Sequence, residues 1–326
     1  MAGAITWKTV RVALAVVGLG TGCGSVENDS VDAPTIDAEV VIDTPVVVDT
    51  PVVDTLVARC NPTAPFGTPM PLPFNTTPTS EEAGFLTADE RTIYFSSTRP
   101  GGNGGFDLWF ATRADSTAAF GTPQLLGGAI NSGGTERGPT VSADGLYLYA
   151  STFLNDYNVS VNRRADTGST FGALTAVAEL NVGTQDGDPY LLPDHTIYWA
   201  TDDVSVGDLY RATWNGSSFR TPERMTGFYA AGTDLEAKPV VSPNELILYY
   251  QSARAGGRGG FDVWRTTRTS TVAAFGTPIN IDGVNSAGND GPSWISADDC
   301  VLYLTRNVGA VGGATDYDMF YAVRGM

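Results

Sequence analysis

A glycine-rich motif that occurs twice constrains the fold of this chain more than any other feature. It reads RPGGNGGFDLWFATR from Arg99 to Arg113 and RAGGRGGFDVWRTTR from Arg254 to Arg268. In both copies a turn built from glycines leads into a segment with the aromatic and β-branched residues typical of strands. Two such copies about 155 residues apart indicate that a unit of about 50 residues has been repeated along the chain.

Each repeated unit contains four segments with the pattern of short strands. An inner strand opens at a proline or its replacement, at Gly84, Pro139, Pro189, Pro239 and Pro292. After a polar turn, the second strand reads TIYFSS, LYLYAS, TIYWAT, LILYYQ or VLYLTR. The third strand begins at Asp107, Asn158, Asp208, Asp262 or Asp318, and the fourth at Phe120, Phe171, Phe219 or Phe275. Four strands in about 50 residues predict one blade of a β-propeller.

The two ends of the repeated region complete each other. The fifth unit stops at Met326, directly after its third strand, and FGTPMPL at 66–72 repeats the fourth-strand pattern at the other end. We therefore predict an all-β fold, a five-bladed β-propeller of four-stranded antiparallel blades over 62–326. The N-terminal strand 66–72 closes the ring by completing the last blade, which removes an open sheet edge. The 38 glycines and 19 prolines support such a turn-rich fold.

The repeat resembles a known family. The copy PTVSADGLYLYAS, which starts at Pro139, and the copy LTADERTIYFSSTRPGGNGGFDLWFATR, which ends at Arg113, carry the pattern. In these segments the chain is similar to the WD40-like β-propeller repeats of TolB-type proteins. The resemblance implies a cell-envelope or secreted protein that binds other proteins or glycans. The separate N-terminal domain of TolB has no counterpart in this sequence, so no role in the Tol system is implied.

The N-terminal segment predicts export. The apolar run Val12–Leu19 is too short to span a bilayer and indicates a signal peptide over 1–22. Small residues then lead to Cys23, which resembles the acylated cysteine of a bacterial lipobox, although leucine stands one place early, at Leu19. We expect lipidation at Cys23, with a secreted or periplasmic protein without the anchor as the alternative. Gly24 lacks the aspartate that retains some lipoproteins at the inner membrane, so we expect the outer membrane.

Residues 23–61 predict an acidic tether rich in proline, valine, threonine and aspartate. This segment repeats Asp-Thr-Pro-Val units and has no aromatic residue to bury, so we expect it to be extended and disordered. The whole chain has a formal net charge of −17, which makes nucleic acid and anionic membrane surfaces improbable partners. Membrane contact is therefore expected only through the lipid anchor.

Acidic residues recur three positions before each expected inner strand. They are Glu81, Glu136, Asp186 and Glu236, with Asn289 and Asp290 in the fifth unit. Strand alternation places their loops at one end of the central channel, here called face one, and the turns that follow the inner strands at the other end, face two. The acids, with Asp188, could bind a cation, a sugar or a peptide end. Alternatively, each accepts hydrogen bonds from backbone N–H groups in its own loop and orders the turn.

Metal and cofactor chemistry has little support in the sequence. We expect no cofactor, because the glycine-rich turns are followed neither by a phosphate-loop lysine nor by a helix. Calcium is suggested only by the pairs Asp316 with Asp318 and Asp186 with Asp188. The third-strand aspartates, such as Asp107, are expected to cap their hairpin turns.

Two cysteines fall near the same end of the last blade. Cys60 precedes the closing strand, and Cys300 begins the second strand of the blade which that strand completes. In an exported, oxidising compartment we predict a disulfide between Cys60 and Cys300 that clamps the ring closed. The alternative is two free thiols.

Catalytic residues are scarce. The single histidine, His195, falls in a face-two turn, so no Ser-His-Asp or Cys-His system and no histidine metal cluster can form. Glycoside cleavage by carboxylates remains open, with Asp186, Asp188, Glu136 and Glu236 as candidates. Three tryptophans could stack on sugars, although core packing explains them equally well: Trp199, Trp214 and Trp294.

The sequence as a whole favours a binding protein. We predict a non-catalytic, monomeric cell-envelope lipoprotein whose propeller binds a protein or glycan partner on face one. The alternative is a carbohydrate-active enzyme, a glycoside hydrolase or lyase, that uses the carboxylates at the channel mouth.

Overall fold

The computed structural model describes residues 59–153, 155–201, 207–228, 235–311 and 314–326. The predicted signal peptide, Cys23 and nearly all of the predicted tether lie outside these residues, so those assignments stay predictions. The described part of the chain contains no helix long and apolar enough to cross a membrane.

Short antiparallel strands make up five sheets of four strands each. Blade one comprises β2 (Glu81–Leu86), β3 (Thr92–Ser97), β4 (Asp107–Thr112) and β5 (Gln124–Leu125). Blade two comprises β6 (Thr135–Val141), β7 (Tyr147–Phe153), β8 (Tyr157–Arg163) and β9 (Thr175–Ala176). Blade three comprises β10 (Asp186–Leu191), β11 (Ile197–Thr201), β12 (Asp208–Ala212) and β13 (Glu223–Arg224). Blade four comprises β14 (Glu236–Val241), β15 (Ile247–Ser252), β16 (Asp262–Thr267) and β17 (Ile279–Asn280). Blade five comprises β18 (Asp290–Ile295), β19 (Val301–Val311), β20 (Ala314–Val323) and β1 (Met70–Pro71).

This topology confirms the predicted five-bladed β-propeller. Within each blade the strands follow sequence order from the innermost strand outward, except that β1 from the N-terminal side forms the outer strand of blade five. The innermost strands start about three residues earlier than the prolines suggested. Ladder pairing continues through a β-bulge, as between Gly187 and Tyr190 of β10, so the proline lies within the strand rather than at its start.

The ring closes through the predicted N-terminal segment. Met70 and Pro71 pair with Tyr321 and Phe320 of β20, and Phe66 forms a bridge to Arg324. Further backbone bonds run from the Leu72 N–H to the Met319 carbonyl, at 2.9 Å, and from the Gly67 N–H to the Val323 carbonyl, at 2.8 Å. The outer edge of β20 is therefore covered from 66 to 72, which confirms the predicted closure.

A repeated arginine–phenylalanine contact shows that the closing segment takes the place of an ordinary fourth strand. The guanidinium of an arginine after the third strand lies over the phenylalanine ring that opens the fourth segment, 4.5 Å away for Arg113 and Phe120. Arg324 lies 3.9 Å from the ring of Phe66 in blade five. Both arginines also donate from Nε to the carbonyl of the turn after the inner strand. Phe66 therefore has the environment that Phe120 has in blade one.

A disulfide joins Cys60 to Cys300, as predicted, across a sequence separation of 240 residues. Beside it on face two, Arg59 forms ion pairs with Glu90 at 2.6 Å and with Asp298 at 2.8 Å. The segment before β1 is thus attached covalently to the blade that β1 completes.

Candidate functional site

Five of the six acids predicted at the channel mouth are buried at the starts of the innermost strands. Their exposed fractions are at most 2%, and they are Glu81, Glu136, Asp186, Glu236 and Asp290. Burial of carboxylates at this level requires hydrogen-bonding partners, because an unpaired buried charge is strongly unfavourable. The partners come mainly from the loop before each strand and from neighbouring arginines.

Four of these carboxylates, those of Glu81, Glu136, Asp186 and Asp290, accept hydrogen bonds from residues within five positions in the chain. Glu81 accepts from Thr79 Oγ1 at 2.8 Å, and Asp186 accepts from the Gly183 N–H at 3.0 Å. Glu136 accepts from the N–H and the hydroxyl of Ser132. The backbone N–H groups of these acids also join neighbouring blades, since that of Glu136 donates to the Phe106 carbonyl of blade one at 2.9 Å. These contacts order the loops of face one.

Three of the buried acids also form an ion pair with an arginine, and Arg99 Nη2 lies 3.0 Å from Glu81 Oε1. Arg254 Nη2 lies 2.8 Å from Glu236 Oε1, and Arg306 Nε lies 2.7 Å from Asp290 Oδ1. Burial raises the pKa of Glu136 and of Asp186 above their ordinary values, although hydrogen bonds from neighbouring groups oppose that shift.

The inner-strand bulges turn a second set of residues toward the channel. Two positions after the acid, the backbone adopts a left-handed conformation at Ala83 (φ 55°), Gly138 (φ 59°), Asp188 (φ 52°) and Lys238 (φ 50°). Only glycine takes up this conformation without strain, so the three other residues are held there by the surrounding fold. In blade five the equivalent residue is Pro292, whose ring fixes φ at negative values.

A cavity of about 400 Å³ opens at face one above these residues. Its floor includes Asp188, Lys238, Glu82 and Arg137, and Gln251 contributes an amide. Of the six acids singled out in the sequence, Asp188 and Glu236 line this cavity. The cavity is asymmetric, because the position occupied by Glu82 and Arg137 in the first two blades holds small residues in the other three: Gly187, Ala237 and Gly291.

Four charged side chains form a network in the cavity, here called the channel cluster: Glu82, Arg137, Asp188 and Lys238. Glu82 is 3% exposed and forms ion pairs with Arg137 and, at 3.6 Å, with Lys238. Gly291 leaves room for the lysine, since a Cβ atom there would lie 2.9 Å from Lys238 Cδ. The cluster draws one residue from each of four blades and breaks the repeat symmetry.

The two acids of the channel cluster differ in their tendency to ionise. Burial alone would raise the pKa of Glu82, but Lys238 and Arg137 outweigh it and hold that pKa below its ordinary value. Burial raises the pKa of Asp188, Glu82 adds to that shift, and Lys238 and Arg137 only partly oppose it. The channel therefore presents one firmly ionised carboxylate beside one that holds its proton to higher pH.

A set of aromatic side chains, here called the aromatic ring, lies around the cavity. The residue before the aspartate or asparagine that opens each third strand is aromatic in four blades: Phe106, Tyr157, Phe261 and Tyr317. All four are partly exposed, and the last three line the cavity, while the guanidinium of Arg137 lies 4.2 Å from the ring of Phe106. Blade three has Gly207 at this position, where an added Cβ would lie 2.6 Å from the Glu236 carbonyl oxygen.

Of the residues in the channel cluster and the aromatic ring, the sequence predicted only Asp188 as a site residue. The ring has a sequence signal, since its members fall at one repeat position next to Asp107, Asn158, Asp262 and Asp318. The cluster has none, because its geometry depends on bulges and on contacts between blades that are far apart in the sequence.

The other candidate residues for sugar stacking or catalysis lie away from the cavity or in the core. Trp199 and Trp294 are buried, at 0% and 6% exposed, so neither offers a surface for stacking. Trp214 is half-buried against Phe219, at a ring-centroid distance of 5.0 Å, and His195 packs between Tyr147 and Trp214. No group of three or more histidine, cysteine, aspartate or glutamate side chains in the described residues is arranged to hold a metal ion.

Solved structures with similar folds include carbohydrate-active enzymes. An α-L-arabinofuranosidase from Podospora anserina in complex with cellotriose matches with a TM-score of 0.53 at 13% identity, over 82% of this chain and 98% of that one. The catalytic domain of a GH62 α-L-arabinofuranosidase from Coprinopsis cinerea matches with a TM-score of 0.50 at 14% identity, over 81% and 98%. TolB from Acinetobacter baumannii matches with a TM-score of 0.43 at 14% identity, over 76% of this chain and 55% of that one.

These comparisons establish a class of fold and nothing narrower. No protein-family model matches the chain, and no curated protein sequence matches it. The chain is a β-propeller of five four-stranded blades, with a charged cavity under an aromatic ring at one end of its channel. At identities of 13% and 14%, the activity of those enzymes does not transfer to it.

Proposed function

We propose that this protein is a non-catalytic glycan-binding β-propeller that holds a carbohydrate at the channel mouth of face one. The observation that carries this proposal is the aromatic ring over the cavity, with Tyr157, Phe261 and Tyr317 at its rim. A pyranose presents a face of C–H groups and an edge of hydroxyls. Partly exposed aromatic side chains can stack on the face of C–H groups, and a polar cavity floor can form hydrogen bonds with the hydroxyls.

The floor of the cavity supports the same ligand class. Lys238 and Arg137 donate hydrogen bonds, Asp188 can donate or accept according to its protonation, and Gln251 does both. Sugar hydroxyls also both donate and accept. A strongly cationic ligand is disfavoured by the two bases of the channel cluster, and their pairing with the ionised Glu82 leaves little charge to attract a strongly anionic one.

A panel of soluble oligosaccharides and polysaccharides tests this function directly. The full-length protein should retain a subset of the glycans without releasing new reducing ends. A variant with Tyr157→Ala and Tyr317→Ala should lose that retention. Tyr147→Ala is the matched control, since it removes a half-buried aromatic ring packed on His195 and should leave retention unchanged. Retention of peptides but of no glycan would overturn the proposal.

Glycoside cleavage is the second candidate, favoured by the unlike acids of the channel cluster. A carboxyl that keeps its proton beside one that stays ionised is the arrangement in which carboxylate-based glycosidases divide acid and base roles. In this chain Asp188 would be the acid and Glu82 the ionised partner. The ion pairs of Glu82 with Arg137 and Lys238 count against it as a base or nucleophile. New reducing ends formed by the parent protein and absent with Asp188→Asn would establish this candidate instead.

We also propose that the propeller acts at the cell envelope, as a monomer anchored through Cys23. Support comes from the apolar segment before that cysteine and from the Cys60–Cys300 disulfide, since structural disulfides persist in oxidising compartments. Labelling with a radioactive fatty acid, in the parent and in Cys23→Ala, tests the anchor. Label in the parent alone is expected, and an unlabelled parent would contradict it.

A further inference from the structure

Two aspartates at the start of β20 in blade five, one buried and one partly exposed, have buried carboxylate oxygens without hydrogen-bonding partners. Asp316 is 3% exposed, and neither oxygen of its carboxylate has a hydrogen-bonding partner. Oδ1 of Asp318 also has none. The two residues are two positions apart on one strand, so their side chains lie on the same face of the sheet.

The equivalent position in blade four shows what is different here. Asp262 accepts from the Arg258 N–H at 2.5 Å through one oxygen and from the Gly259 N–H at 3.2 Å through the other. Both donors belong to the glycine-rich turn between the second and third strands. In blade five a long hairpin between β19 and β20 replaces that turn, and Asp316 adds a second acid. This blade has therefore lost the donors and gained a negative charge.

Nearby arginines are committed to other groups. Arg306 is the register partner of Asp318 on β19, but its guanidinium binds Asp290 and the Val284 carbonyl. In the neighbouring blade one, Arg99 lies 3.0 Å from Glu81 and pairs with that acid. A buried carboxylate such as that of Asp316, with neither a donor nor a base beside it, is strongly unfavourable, and the partly exposed carboxylate of Asp318 on the same face adds repulsion. A bound cation resolves both problems.

We propose that Asp316 and Asp318 bind a calcium ion at the start of β20. Carboxylate oxygens are the ligands that calcium prefers. Two carboxylates leave several coordination positions for main-chain carbonyls and water, which calcium accepts. A zinc site would need nitrogen or sulfur ligands that these residues do not supply. The site lies at the blade-five hairpin and is separate from the channel cluster.

Calcium-dependent thermal stability of the chelator-treated, full-length protein tests this site. At calcium concentrations about one hundred times Kd, the midpoint temperature should rise by about 5 °C. Asp316→Asn should abolish that rise while keeping the circular dichroism spectrum of the parent. Asp262→Asn is the matched control, because its carboxylate is satisfied by backbone N–H groups, and this variant should keep the rise. The acidic N-terminal segment is present in every variant, so non-specific binding there cancels.

Each result decides the matter. Loss of the calcium response in Asp316→Asn but not in Asp262→Asn supports the site. An absent response in the parent, an equal response in Asp316→Asn, or a response to zinc but not to calcium would overturn it.

Discussion

Lys238 Nζ lies 3.6 Å from Glu82 Oε2, an ion pair that joins blade four to blade one across the channel. These blades are not neighbours in a ring of five. Glu82 also pairs with Arg137 of blade two, so one buried carboxylate connects three blades at the centre of the propeller. The same pair lines the cavity, so the proposed binding surface lies at the centre of the propeller.

Removing the lysine should weaken this connection. Lys238→Met leaves Glu82 with one base instead of two, and we expect a loss of about 1–2 kcal/mol in the free energy of unfolding at pH 7. Because the pKa of Glu82 is lowered in the folded state, its contribution is complete above the unfolded value of about 4.3 and is lost as pH falls through the folded pKa. The effect of the substitution should therefore shrink toward pH 3.

Urea unfolding at several pH values measures this effect, and a double-mutant cycle with Glu82→Gln isolates the pair. A coupling near zero at pH 7, or an effect of Lys238→Met that does not depend on pH, would contradict the assigned contact.

Two buried acids of face one should respond differently to the same change. Glu236→Gln leaves the guanidinium of Arg254, which is 9% exposed, without its carboxylate, and we expect a loss of about 2–3 kcal/mol. Glu136→Gln leaves no base unpaired, and the amide can still bond to Ser132, so we expect a change within about 1 kcal/mol.

The pH dependence separates these two acids further. Burial raises the pKa of Glu136, so the folded parent keeps the carboxyl proton to higher pH than the unfolded chain does. The free energy of unfolding of the parent therefore falls as pH rises from about 4.3 through the folded pKa. Glu136→Gln removes this loss. Chemical denaturation between pH 4 and pH 7 would show it, and equal destabilisation by both substitutions would contradict the different partners of the two acids.

Closure of the propeller should depend on the phenyl side chain of Phe66. Phe66→Ala deletes a side chain that is 5% exposed and lies under the Arg324 guanidinium, and we expect a loss of about 3–5 kcal/mol. Val272→Ala is the control, because Val272 is 95% exposed and its truncation should change nothing. Guanidinium unfolding measures both, and parental stability of Phe66→Ala would show that the closing strand does not seal blade five.

The disulfide should add to this closure. It restricts a loop of 240 residues in the unfolded chain, so Cys60→Ala with Cys300→Ala should lower the free energy of unfolding by about 3–5 kcal/mol. Reductant should destabilise the parent by a similar amount and leave the double variant unchanged. The same denaturation midpoint for parent and variant, without reductant, would contradict that contribution.

Much of the architecture could be predicted because each repeat shows residue patterns that lie close together in the sequence. Each blade shows a polar turn and alternating strands, and four of the five show the proline. The additional fourth-strand pattern at 66–72, together with Cys60 and Cys300, indicates where the propeller closes. The start of each inner strand was placed too late, because ladder pairing runs through a bulge that no residue type marks.

The site was harder to predict, for a physical reason. A left-handed residue in each of four bulges changes which side chains face the channel, and this brings Asp188 and Lys238 into the cavity while Glu236 remains tied to Arg254. Ion pairs across the channel depend on distances between blades that sequence spacing does not encode. The aromatic ring, by contrast, recurs at one repeat position and could have been found by aligning the five units.

Calorimetric titration of a retained oligosaccharide into the full-length protein measures whether carbohydrate binds at the channel mouth. Each aromatic residue of the ring should contribute about tenfold to affinity, so Tyr157→Ala with Tyr317→Ala should weaken binding by about one hundredfold. Tyr147→Ala, on face two, should bind as the parent does. Equal affinity of the parent and the double variant, with both folded, would show that the carbohydrate does not bind at the channel mouth.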